Sequence, residues 1–144
     1  MRLQKAASPI LSVSGDTPAR PTILVVEDNA LNLKLLHDLL EYCGYTILAT
    51  SLGEAAIELA RQHKPDLILL DIQLPDMSGM EAAQRLKADE QTRAIPIIAV
   101  TAFAMAGDQA KILASGCDFY IAKPFNVTEL LQFVERYTSR PGAN

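Results

Sequence analysis

Five side chains suited to phosphate or metal chemistry stand where apolar runs stop. Val25-Val26 gives way to Glu27-Asp28, Leu67 to Leu70 to Asp71, Ile97 to Val100 to Thr101, and Phe119 to Ala122 to Lys123. If the runs are parallel strands, all five emerge on one sheet edge. Three carboxylates gathered there repel: a pair about 4 Å apart costs about 1 kcal/mol in water and about 4 kcal/mol at an effective dielectric near 20. Lys123 offsets part of this, and a divalent cation is the simplest remedy for the rest. An all-oxygen donor set without Cys or His favours Mg²⁺, which prefers one or two protein carboxylates together with a phosphate oxygen. Asp71 is then placed to act as a carboxylate nucleophile towards a phosphoryl group, with Lys123 sharing the clamp on its oxygens.

Taken singly, each residue has a duller explanation. An acid at a strand end is more often a helix cap, Thr101 is as readily a satisfied strand-end hydroxyl, and a lysine before Pro124 is usually solvated. Their coincidence on successive strand ends shifts the balance. Other chemistry-bearing residues get no role: His37 and His63 fall on predicted helices as surface or partly packed side chains, and Cys43 and Cys117 lack ligand spacing and read as reduced and structural.

The elements that position these groups are legible from periodicity. Thr22 to Val26 reads as a strand, followed by a helix with Leu31, Leu35, Leu36, Leu39 and Leu40 at helical spacing and Gly44 as its stop. Tyr45 to Ala49 reads as a second strand. Ser51 and Glu54 have the spacing of a capping box for a second helix, which closes at Lys64-Pro65. Leu67 to Leu70 is apolar on both faces, as in a strand covered from both sides. Ser78 and Glu81 repeat the capping-box spacing before a third helix to about Ala88, and Ile97 to Val100 forms a fourth strand. A fourth helix near Asp108 to Ala114 stops at Gly116, Phe119 to Ala122 forms a fifth strand, and Asn126 with Glu129 caps the last helix.

Five strands alternating with five helices imply an α/β fold, a doubly wound parallel sheet with ligands at the carboxyl ends of the strands. The 144 residues suffice for one domain, and 49% hydrophobic with 21% charged residues is ordinary globular composition. A net charge of -4 argues against direct nucleic-acid binding. No signal-peptide core or membrane-length apolar run occurs, so a cytoplasmic location without membrane insertion is expected. Residues 1–20, rich in Ser, Pro, Ala and Gly, are expected to be a flexible extension, with 21–144 as the domain.

The segments Val25-Val26-Glu27-Asp28-Asn29, Leu70-Asp71-Ile72-Gln73-Leu74-Pro75-Asp76-Met77-Ser78-Gly79, Val100-Thr101-Ala102 and Ala122-Lys123-Pro124-Phe125 resemble the CheY-like receiver domain in order and spacing. The resemblance covers about Pro21 to Tyr137. It implies a flavodoxin-like (βα)5 fold of strand order 2-1-3-4-5, with Asp71 as phosphoacceptor and Glu27 and Asp28 as the acidic pair. The Gln73 carbonyl would join Asp28 and Asp71 on Mg²⁺, while Thr101 and Lys123 bind the phosphoryl oxygens. Tyr120 would switch rotamer with Thr101, and the Lys123-Pro124 bond would be cis. Phe103, Met105, Tyr120 and Phe125 would form an apolar output surface, and Gln73 and Phe103 would tune phosphoryl lifetime by controlling water.

Glu27-Asp28-Asn29-Ala30-Leu31-Asn32, His37-Asp38-Leu39-Leu40 and Thr101-Ala102-Phe103-Ala104-Met105 further resemble single-domain regulators of the DivK type. This implies sensor histidine kinases or phosphotransfer proteins as donors, kinase-like or adaptor proteins as readers, a role in bacterial cell-cycle and polarity control, recruitment to a cell pole, and a monomer or weak dimer. Since the chain ends shortly after Tyr137, output by protein contact is expected rather than turnover catalysis. A haloacid-dehalogenase-type phosphatase would need a second acid where Gln73 stands, and a flavodoxin-like cofactor binder a phosphate loop where Glu27-Asp28 stands. A phosphorylation-independent interaction platform is the remaining alternative.

Overall fold

The computed structural model describes residues 20–102 and 106–138. Its elements alternate strictly: β1 (Thr22–Val26), α1 (Ala30–Tyr42), β2 (Thr46–Thr50), α2 (Gly53–His63), β3 (Leu67–Asp71), α3 (Gly79–Ala88), β4 (Ile97–Thr101), α4 (Ala106–Ala114), β5 (Phe119–Ala122) and α5 (Val127–Thr138). The strands form one parallel sheet in the order β2-β1-β3-β4-β5. The order reverses between β1 and β3, and there the helices leave opposite faces of the sheet and open a crevice.

Side-chain alternation divides the core in two. Leu24, Val26, Ile68, Leu70, Ile97 and Ala99 point to one face and pack against Ala56, Ile57 and Ala60 of α2, Ala82, Ala83 and Leu86 of α3, and Ile112 of α4. Ile23, Val25, Leu67, Leu69, Ile98 and Val100 point to the other and meet Leu36 and Leu40 of α1 with Leu130 and Val134 of α5. Every residue of β3 and β4 is buried, which is why those segments are continuously apolar until the residue that carries chemistry.

Helix ends follow local chemistry, with one exception. The Asn29 side chain accepts from the Asn32 amide, Ser78 from Met80 and Asn126 from Glu129. Gly44 and Gly116 adopt φ of 100° and 113° where α1 and α4 end. Ser51 does not cap α2: the helix begins two residues later, its N-cap position is Leu52, and no side chain of that residue satisfies the first amides. The Asp76 carboxylate does so across the fold, accepting from Gly53 N–H at 2.8 Å and Glu54 N–H at 3.0 Å. Glu54, released from the expected capping box, makes a two-pronged pair with Arg85 of α3 at 2.8 and 3.0 Å. β2 is also displaced by one residue, from Tyr45–Ala49 to Thr46–Thr50, because the Tyr45 amide closes the α1 terminus on the Leu40 carbonyl.

Candidate functional site: an acidic pocket at the sheet switch point

β1 and β3 are adjacent and in register, with Val26 opposite Leu70, so their next residues, Glu27 and Asp71, emerge side by side. Both are nearly sealed from solvent, at 2% and 6% exposure. β5 lies beyond β4, with Thr101 opposite Ala122, which sends Lys123 back over the same edge. Its ammonium bridges the two acids: Nζ lies 3.0 Å from Glu27 Oε1 and 3.2 Å from Asp71 Oδ2. The Lys123 amide donates to the Thr101 carbonyl at 2.8 Å, and the following Lys123-Pro124 bond is cis, as the family resemblance implies. Thr101 is fully buried at the end of β4.

The remaining acceptors are held by backbone. Asp71 Oδ1 takes the Gln73 amide at 3.0 Å, and Glu27 Oε2 takes the Asn29 amide at 3.1 Å. These bonds fix both carboxylate planes at the mouth of the crevice. Burial comes first in pushing the Glu27 carboxyl above its ordinary range, and the neighbouring Asp71 carboxylate adds to it against the Asn29 amide and Lys123. For Lys123, burial disfavours the charge, but the bond to Glu27 and the field of Asp71 and Glu27 outweigh it, and the ammonium is held above its usual value. With Asp28 exposed at the rim, the pocket sets three carboxylates against one ammonium.

That imbalance, in an all-oxygen donor set with no Cys or His, fits a hard divalent cation such as Mg²⁺. The three acids do not themselves close into a ligand cluster: among the described residues, the trio with ligand atoms within 4.8 Å of one another is His37, Asp38 and Glu41 on α1. Lys123 Nζ contacts both Glu27 and Asp71, and Asp28, the next residue after Glu27, is exposed. Gln73 is exposed, and its backbone is held beside Asp71 by the amide bond to Oδ1.

The family model for the response regulator receiver domain matches residues 23–135. This chain belongs to that family. The receiver is 51% identical over 116 residues to the polar-differentiation response regulator DivK of Brucella ovis, covering 81% of this chain and 94% of that protein. The corresponding Brucella anthropi protein is 50% identical over the same coverage. Among solved structures, the receiver domain of the sensor histidine kinase PA1611 from Pseudomonas aeruginosa PAO1, which has a magnesium ion coordinated in its active-site cleft, matches at TM-score 0.78 and 37% identity, covering 83% of this chain and 98% of that one. Vibrio cholerae CheY4 matches at TM-score 0.78 and 25% identity, covering 83% and 99%.

The structure thus brings together Glu27, Asp71, Thr101 and Lys123 and leaves Asp28 at the rim. Tyr120 is half-buried on β5, stacked on Phe119 at 5.4 Å between centroids, and Phe125 is half-buried beside Pro124. Phe103 and Met105 lie outside the described residues. Sequence reasoning missed Asp76, whose partner amides are 23 and 22 residues away, and Gly79. An added Cβ on Gly79 would lie 2.6 Å from Ile72 Cα and against the Asp71 carbonyl. Its signal was the glycine eight residues after Asp71, where the loop must return onto the strand it left. No described helix is long and apolar enough to cross a membrane.

Proposed function

We propose that this receiver takes a phosphoryl group from a sensor histidine kinase or phosphotransfer protein onto Asp71 and signals by protein contact in polar or cell-cycle control, as the names of its Brucella relatives suggest. The observation that carries the proposal is the buried Asp71 carboxylate, sharing one ammonium with Glu27 at the switch point of the sheet. In the transfer, an Asp71 oxygen forms a bond to phosphorus while the bond from phosphorus to the donor nitrogen, or to an acyl oxygen in a small-molecule donor, breaks and its electron pair leaves with the donor. Asp28, Asp71 and the Gln73 carbonyl would hold Mg²⁺, and Glu27 would orient its water shell. When bound, the ion supplies charge neutralisation for the acids and for the transferring oxygens.

Lys123 is already aimed at the acceptor carboxylate and would follow the phosphoryl oxygens. The Thr101 hydroxyl would bond to the same group, and Tyr120 would report that bond by changing its packing. Release of phosphate by water would regenerate Asp71, with Gln73 at the mouth governing water entry. The protein would assist both steps on itself without acting as a turnover enzyme.

A docking face for the donor surrounds the pocket. A groove of about 450 Å³ is lined by Asn32, Leu35, Ala102, Lys123, Pro124, Phe125 and Val127. Leu35 and Val127, which line it, remain 49% and 42% exposed, and Leu31, one turn before Leu35 on α1, is 76% exposed, so the groove and its neighbour offer an apolar surface to a partner. Borohydride reduction after phosphorylation, followed by peptide mapping, tests the acceptor assignment. Conversion of Asp71 to homoserine is expected; label on another residue would overturn it.

A further inference from the structure

Asp76 lies outside the acidic pocket, yet it carries the longest-range tie of the loop that shapes it. The segment from Ile72 to Ser78 leaves β3 and returns to start α3. Its base is closed by the Gly79 amide on the Ile72 carbonyl at 2.7 Å and by an antiparallel bridge between Gln73 and Ser78. Its tip is tied differently: each oxygen of the Asp76 carboxylate accepts one amide from the first turn of α2. Met77 and Leu74 lie over Gly53 so closely that a Cβ there would sit 2.6 Å from Met77 Cγ and 3.4 Å from a Leu74 methyl. The Glu54 to Arg85 pair then links α2 to α3 just past the loop. The loop therefore rests on α2 as on a fixed support.

We infer that Asp76 is a positioning residue for metal binding: by docking the β3–α3 loop on the N-terminus of α2, it holds the Gln73 backbone at the mouth of the Asp71 pocket. The inference rests on the proposed function, in which the Gln73 carbonyl is a Mg²⁺ ligand. Charge favours the arrangement, since a carboxylate at a helix N-terminus meets the positive end of the helix dipole and otherwise unpaired amides. The two backbone donors keep the Asp76 carboxyl below its ordinary range, so it stays ionised through the physiological interval. Without the tie, Gln73 remains bonded to Asp71 through its own amide, but the loop tip is held on α2 only by the non-directional packing of Met77 and Leu74 over Gly53 and gains freedom to shift. A ligand carbonyl in a mobile loop binds its ion less well, and losing a group that orients a metal ligand typically weakens affinity about 10-fold or more.

A second variant separates positioning from mere helix capping. Leu52 already has the extended backbone of an N-cap residue, φ -119° and ψ 137°. Asp76→Ala combined with Leu52→Ser therefore gives α2 a cap of its own while leaving the loop untied. Mg²⁺ affinity is measured by calorimetry, because the chain has no tryptophan to report binding, and the rate of phosphorylation by acetyl phosphate is followed against Mg²⁺ concentration. All measurements are made where each variant is folded by circular dichroism.

Asp76→Ala is expected to bind Mg²⁺ about 10-fold more weakly and to need correspondingly more Mg²⁺ to reach the same maximal rate. The double variant is expected to recover melting temperature but not affinity. Recovery of both would make Asp76 a helix cap and nothing more, and unchanged affinity in Asp76→Ala would likewise overturn the inference. If the unsubstituted protein accepts a phosphoryl group with Mg²⁺ and only these comparisons fail, the positioning role falls alone. If it binds no Mg²⁺ and takes no phosphoryl group, the proposed function falls and the inference with it.

Discussion

Lys123 bridges two buried carboxylates at once, and burial, with the neighbouring Asp71 carboxylate, holds the Glu27 carboxyl above its ordinary value. Replacing Asp71 by Asn removes one negative charge from this pocket while Lys123 keeps its contact with Glu27. In metal-free buffer, Asp71→Asn is expected to melt several degrees higher than the parent, a gain of about 1 kcal/mol, and carbon-detected NMR titration should place the Glu27 carboxyl closer to its ordinary value. A lower melting temperature with an unmoved Glu27 would contradict the charge balance described. The same crowding predicts the sign of pH dependence. A carboxyl whose folded value is raised favours the folded state fully below its unfolded value, near 4.5, and loses that contribution as pH rises through the folded value. In metal-free buffer the Glu27→Gln variant should therefore gain stability relative to the parent on going from about pH 4 to 7. Added Mg²⁺ should reverse the trend for the parent, because the ion needs ionised ligands and stabilises most at the higher pH. Thermal melts with chelator and with Mg²⁺ across this range provide the check. The clustering of these acids was legible in the sequence because each ends an apolar run. That Asp28 would stand at the rim was not, since strand-end position fixes where a residue emerges and leaves its side-chain direction open.

At the level of elements, the strands other than the displaced β2 and the two-faced burial of β3 followed from composition, because a short strand covered on both sides is apolar throughout, and β4 proves buried in the same way. Caps were less legible. Ser78 and Asn126 act locally and were found, and Asn29 acts locally but was not singled out, whereas Ser51 had the right spacing and lost α2 to Asp76, a contact that no local pattern encodes. The return of the β3–α3 loop depends on Gly79, whose Cα faces the backbone of Asp71 and Ile72 with no room for a methyl group. Gly79→Ala is expected to cost about 1–3 kcal/mol of stability, the range for forcing an atom into packed structure, and to weaken Mg²⁺ binding by shifting the loop away from Asp71. Denaturant unfolding together with calorimetric Mg²⁺ titration measures both; a neutral substitution would mean that the loop yields easily. Gly53→Ala should be milder, since the atoms in its way belong to the flexible Met77 side chain.

The whole molecule is a sheet with one chemically active edge and an apolar rim beside it. Leu31 and Leu35 on α1 with Val127 on α5 contribute little to the core, being 76%, 49% and 42% exposed. Leu31→Glu is expected to leave melting temperature and phosphorylation by acetyl phosphate unchanged while slowing phosphoryl transfer from a cognate kinase or phosphotransfer protein about 10-fold, equivalent to about 1.4 kcal/mol of docking. Equal slowing with both donors would place the effect in the chemistry and not in docking. Fold and site were legible together because the alternation of elements dictates that functional groups gather at the carboxyl edge; the class of donor was legible through the family resemblance, but the face that docks it was not, because a docking face is recognised only once exposure is known. Intact mass after incubation with acetyl phosphate, with and without Mg²⁺, most directly tests the central claim. A gain of one phosphoryl group that requires Mg²⁺ and disappears in Asp71→Asn is predicted; no gain in the parent, even with a cognate kinase, or an equal gain in the variant, would contradict it.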